Sequence, residues 1–134
     1  MEILNQKEKK RLSSQTISKM MALEEYFKLP VFQDFLSEDE KKELGGSYNY
    51  FIFEEDEVSI VDKDKYTLGQ MVYITFYSEN RAYLTGDQLD VLTLIHEQLF
   101  RFIGTDVNHL KLDKQDRYID QVIFRFQRIV RSGC

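Results

Sequence analysis

The sequence predicts an α+β domain in which N-terminal helices precede an antiparallel β-sheet, a three-strand meander plus a C-terminal strand, packed by one amphipathic helix. Three observations predict it. Apolar residues recur at three- and four-residue spacing in two stretches, Gln6 to Lys28 and Thr85 to Ile103. Elsewhere the period drops to two, most clearly in Met71 to Glu79 and in Arg117 to Val130. The chain has 134 residues, 43% of them hydrophobic, enough for one self-sufficient core and too few for two. Residues 1–46 read as a helical N-terminal segment and 47–134 as the sheet-and-helix core.

In chain order, Ile17, Met20, Leu23 and Phe27 form the apolar stripe of the first helix, and Pro30 stops it by pushing the residue before it out of helical geometry. Lys7 to Arg11 is basic and poor in apolar residues, so this end is expected to project past the core. Val31, Phe32, Phe35 and Leu36 make a short apolar turn. Ser37 and Glu40 have capping-box spacing and Gly45 supplies a left-handed terminus, so Glu38 to Leu44 is a short exposed helix. Tyr48 to Glu54 is aromatic and β-branched, a strand; the acidic run Glu54–Glu57 is read as a turn, and Glu57 to Asp62 as the second strand. Asp62 to Lys65 is a charged loop. Met71 to Glu79 is the third strand, with Met71, Tyr73, Thr75 and Tyr77 on one face and Val72, Ile74 and Phe76 on the other. Thr85 and Gln88 form a second capping box, and Leu84 with Leu89 a hydrophobic staple, opening a helix whose stripe runs through Leu92, Ile95, Leu99, Phe102 and Ile103 to Gly104. Asn108 to Gln115 is a polar linker, and in the last strand Val122, Phe124 and Phe126 alternate with Ile123, Arg125 and Gln127.

Charge narrows the function classes. The net charge is −5, which opposes a broad nucleic-acid surface, because that needs clustered Lys and Arg to displace counterions from phosphates. Between Ser37 and Asp64 there are ten acids against three lysines, whereas from Arg117 onward four arginines face one acid. Opposite charges on different parts of a small domain suit head-to-tail contact between copies, against the plainer reading of two solvated faces. Cys134 is the only cysteine, so an internal disulfide is excluded, as expected for a reducing cytosol. No apolar stretch near Met1 suggests a secretory signal, and no run of 18 apolar residues suggests a membrane span.

A search for chemistry finds little. His96 is followed by Glu97, but Phe100 stands where the zinc-protease spacing needs a second histidine. His96 is expected as a half-buried packing residue, and His109 as a loop residue with no metal-ligand neighbour. Cys134 is terminal, where nothing holds it beside a base. The six glycines build no phosphate loop, no dinucleotide fingerprint and no serine nucleophile elbow. Glu54, Glu55, Asp56 and Glu57 could hold a divalent cation, but the spacing of a calcium loop is missing, and a solvated turn that blunts a strand edge is the better reading. Tyr73, Tyr77 and Phe76 lack the interleaved basic residues of a base-stacking platform. No catalytic residue, metal or cofactor is therefore expected, and the side chains are read as made for protein–protein contact rather than for turnover.

The stretches SYNYFIFEE, GQMVYITFYSEN, the helix from Thr85 to Ile103 and DQVIFRFQRIV, in that order after a leading helix, resemble the tail terminator proteins and neighbouring head–tail connector proteins of long-tailed bacteriophages. The resemblance spans roughly Tyr48 to Val130; the helices within Met1 to Gly46 depart from it. It implies a virion protein of the tail end or neck, made in the bacterial host cytoplasm, that forms a ring, typically of six subunits. It also implies tail-tube and connector proteins as partners, and DNA that passes through the ring without specific binding. The expected contact between subunits sets Glu54, Glu55, Asp56 and Glu57 against Arg125, Arg128 and Arg131. The rival reading is a small acidic cytosolic binder, such as an immunity or antitoxin protein, whose block from Glu38 to Asp64 meets a basic partner. An enzyme with a site assembled from Glu24, Glu25, His96 and tyrosine side chains has no spacing in its favour.

Overall fold

The first two helices can be traced to local causes. The computed structural model describes residues 6–65, 67–79, 81–111 and 117–130. Helix α1 (Gln6–Phe27) buries Thr16, Leu23 and Phe27 and stops where Lys28 turns into the left-handed region ahead of Pro30. The expected apolar turn after it is instead a short strand, β1 (Val31–Gln33), lying parallel to Phe51–Phe53. The proline carbonyl starts the pairing by accepting from the Phe51 N–H at 3.0 Å. Helix α2 (Glu38–Leu44) forms as expected: the Ser37 hydroxyl accepts from the Glu40 N–H, the Glu40 carboxylate accepts from the Ser37 N–H, and Gly45 closes it at φ +60°.

Strands β2 (Tyr50–Asp62) and β3 (Thr67–Ser78) make one hairpin, so the expected three-strand meander is corrected to two. The acidic run is not a turn. Glu55 stands opposite Val72 and Val58 opposite Gln70, so the strand passes through Asp56 and Glu57 as a bulge with one extra residue. The real turn lies further on, where the Asp62 carboxylate accepts from the N–H groups of Asp64 and Lys65 at 3.0 and 3.3 Å. Charge is tolerated in mid-strand here because the side chains of Asp56 and Glu57 are exposed to water at the bulge.

The second correction concerns the C-terminal half. Helix α3 (Leu84–Ile95) ends eight residues before the expected Ile103. Residues 97–100 form a tight reversal, with Glu97 and Phe100 exchanging N–H to C=O bonds of 3.1 and 3.0 Å. Strand β4 (Phe100–Lys111) follows where a helix end and a linker were expected, and it pairs antiparallel with β5 (Tyr118–Val130). Lys19 of α1 holds the end of α3 by donating to the Ile95 carbonyl at 2.9 Å, which also places a cation at the negative end of the helix dipole. At the other end the expected capping box and staple are absent. Tyr83 is the cap without a side-chain bond, Leu89 is exposed, and a buried Asp87 instead takes a bidentate bond from Arg81.

The sheet order is β1-β2-β3-β5-β4, mixed because β1 is parallel to β2. Helices α1 and α3 cover one face. Beneath them Phe51, Phe53, Val72, Ile74, Phe76, Val122, Phe124 and Phe126 are all 0% exposed, so the alternation expected for β3 and β5 holds and the structure turns these faces inward. Phe27 of α1 meets Phe51 and Phe76 with ring centroids 5.1 and 5.8 Å apart, tying helix to sheet.

Candidate subunit interface

Contact surfaces must be sought where backbone or apolar side chains lack a partner within the chain. Among the described residues the sheet has two such borders. On one side β4 is an edge strand over its whole length. On the other, β2 runs uncovered beyond Phe53. Both borders are apolar as well as open: Val58, Ile60 and Val61 on β2, and Ile103, Val107 and Leu110 on β4, are each at least 41% exposed. A long edge strand with exposed apolar residues invites pairing with another chain unless something covers it.

The sequence-predicted contact residues divide into three groups. Arg128 and Glu55 come together, but inside one chain. Arg128 is 2% exposed, and all its donors are engaged: with Gln70 Oε1, Thr16 Oγ1, the Leu12 carbonyl and the Glu55 carboxylate. Burial lowers the guanidinium from its ordinary pKa, and the Glu55 carboxylate opposes that shift. This pair fastens α1 to the sheet and does not face a neighbour, which corrects the expectation for both residues. Both residues also line an open pocket of about 430 Å³, together with Lys9, Thr16, Val58 and Leu68.

Arg125 bonds to Asp106 across Gly104, where a side chain would collide with it: a Cβ there would lie 2.7 Å from Arg125 Nη2. Glycine at this strand bulge therefore has a steric cause, although its place in the sequence suggests a helix end. Glu54 is half-buried; burial raises its carboxyl above the ordinary value, and Asp34 and Asp56 add to this. Asp56 contributes its carbonyl to Gln70 at 2.9 Å, and Glu57 is exposed at the bulge. Of the expected contact set, Glu54, Asp56, Glu57 and Arg125 therefore remain at or near an open border. Arg131 and Cys134 lie outside the described residues.

Sequence reasoning missed the β4 border entirely, because Leu92, Ile95, Leu99 and Ile103 keep helical spacing across the true helix end. The signal available was Phe100 and Phe102 alternating into Thr105 and Val107, a strand period overlaid on a helical one.

His96 is exposed rather than half-buried, with Nδ1 accepting from the Phe102 N–H at 3.1 Å. His109 sits in β4, not a loop, and meets Asp120 at 2.6 Å. Among the described residues, no three His, Cys, Asp or Glu side chains converge as a metal would require. The most perturbed phenol, Tyr50, is pushed up to about 12 by burial and by its neighbours Tyr77 and Tyr48, and its ring lies tilted against that of Tyr77 with centroids 5.0 Å apart. No helix among the described residues is long and apolar enough to cross a membrane. No protein-family model matches the chain, and no curated protein is significantly similar to it in sequence.

Proposed function

We propose that the chain is a structural protein of a tailed bacteriophage, forming a ring at the tail end or the head–tail junction by contacts between copies. The observation that carries this reading is the pair of open, apolar borders on opposite sides of one sheet. Surfaces that differ on the two sides of a subunit join head to tail, and such contacts close into a ring when the rotation between neighbours suits. The outer edge of β2 beyond Phe53 is proposed to meet β4 of the neighbouring copy, extending the sheet across the junction. Glu54, Asp56 and Glu57 lie along the first border and Arg101 and Lys111 along the second, where Asp106 is offset by its pairing with Arg125, so opposite charges set the direction of the contact. Tail-tube and connector proteins are the further partners, and the net acidity would let DNA pass without sticking.

Electron microscopy of the pure chain, alone and with its tail tube, tests this directly. Rings are expected for the parent protein and lost in Ile60→Lys, which places a charge on the β2 border at a position already 57% exposed, so the fold should survive. A chain that stays monomeric or dimeric at high concentration and ignores every partner of the tail would overturn the ring and favour the small acidic binder.

A further inference from the structure

The buried side of α1 accounts for only half of that helix. On the opposite side Lys7, Lys10, Ser14, Ile17, Met21 and Glu24 are all exposed, Ile17 by 55% and Met21 by 61%. Their spacing alternates three, four, three, four, three, the repeat that keeps one stripe facing a partner helix. Beside the stripe, Ser18 and Ala22 leave a shallow groove along the helix, bordered by Ile17, Met21 and Glu25. Small residues of this kind let a second helix approach closely.

The stripe is also polar in sign along its length. Its N-terminal end is basic (Lys7, Lys10) and its C-terminal end acidic (Glu24, Glu25). A copy of the same helix laid antiparallel about a two-fold axis between Gln15 and Thr16 puts Lys7 opposite Glu24, Lys10 opposite Met21, and Ser14 opposite Ile17. Lys7 and Glu24 match in charge, and Lys10 and Met21 match through the apolar stem of the lysine. The two Ile17 side chains flank the axis, Met21 covers the stem of Lys10, and the charges at both ends attract. A parallel arrangement would set lysine on lysine and glutamate on glutamate, which excludes it.

We infer that α1 is an isologous contact surface whose occupant is the α1 helix of a second copy, antiparallel, in the register Lys7 to Glu24. This contact uses the helix rather than the strand edges, and it approaches the β2 border only at Ile17, which shares a pocket with Val58; the charges at its two ends belong to neither border. It would join two free chains or set two rings back to back.

Charge exchange tests the idea by sedimentation or light scattering of the full chain. One variant is K7E/K10E and the other E24K/E25K; all four side chains are exposed, so circular dichroism should show both folded. The parent is expected to double its particle mass with concentration. Each variant alone should associate at least about tenfold more weakly, because every end pair becomes repulsive. An equimolar mixture should regain the parent's mass, since each chain then supplies the charge the other needs. Three results would each overturn the inference: a parent whose mass does not change with concentration, variants that associate as well as the parent, or a mixture that does not recover. If the basic end instead serves a polyanion such as DNA, K7E/K10E will lose polyanion binding while the mixture shows no mass recovery.

Discussion

Arg128 offers the sharpest test of the packing argument, because its burial makes the cost of each partner calculable. Take Glu55→Gln. The substitution keeps an acceptor near Arg128 Nη2 but removes the only carboxylate bonded to a guanidinium that is 2% exposed. Stranding a fully buried charge costs about 3–5 kcal/mol. Here Gln70, Thr16 and the Leu12 carbonyl still accept, and the Glu55 side chain is 27% exposed, so water screens part of the attraction. The expected loss is therefore about 2 kcal/mol, a fall in Tm of roughly 6–10 °C for a domain of this size. Arg128→Met removes the charge, fills most of its volume and leaves Glu55 free to turn to water; its cost should be about 1 kcal/mol, from the partners Thr16 and Gln70 lose. In the R128M background, adding E55Q should cost close to nothing. Urea unfolding of the parent, both single variants and the double variant closes the cycle. Hydrogen exchange at 12–16 should accelerate in E55Q, since that turn of α1 is what Arg128 holds. An E55Q protein within about 0.5 kcal/mol of the parent, or a cost that persists in the R128M background, would refute the reasoning.

Three further outcomes follow from single contacts. Gly104→Ala should displace the Arg125 guanidinium and break its bond to Asp106 while leaving β4 in place, because the close atom is the end of a flexible side chain; the loss should be under about 1 kcal/mol in urea unfolding. Ser37→Ala removes one bond of the capping box and should cost about 1 kcal/mol, with the exchange of amides in α2 rising more than that of the sheet. The third concerns acid. The hydrogen bond from Arg117 holds the Glu79 carboxyl below its ordinary value of 4.5, helped by the Tyr48 N–H and opposed by burial. A carboxylate lowered on folding stabilises the native state above its unfolded value and loses that contribution as pH falls through the folded one. Urea midpoints should thus drop below about pH 4.5 in the parent and drop less in Glu79→Gln; equal slopes would remove Glu79 from the acid response.

Local chemistry decided what could be read directly. The box at Ser37 and Glu40, Gly45, the stop at Pro30 and the alternation of Val72, Ile74 and Phe76 involve neighbours a few residues apart, so their consequences are written where they occur. The same reading failed where two local signals competed. Leu92 to Ile103 satisfies a helical period, and only the availability of β5 as a pairing partner, with Lys19 closing α3 at Ile95, turns its second half into a strand. Glu54 to Glu57 has the composition of a turn, yet β3 continues opposite it and the strand absorbs the excess residue as a bulge. Likewise, counting charges separated an acidic region from a basic one, but tertiary contact joined Glu55 to Arg128 within one chain. The sequence alone determined the α+β class, the two-residue alternation of β3 and β5, the C-terminal end of α1 and both ends of α2, because propensity and burial act locally and agree there. Which strands form the borders, and which charges are spent inside, was decided only by long-range pairing, whose energy is shared between segments distant along the chain.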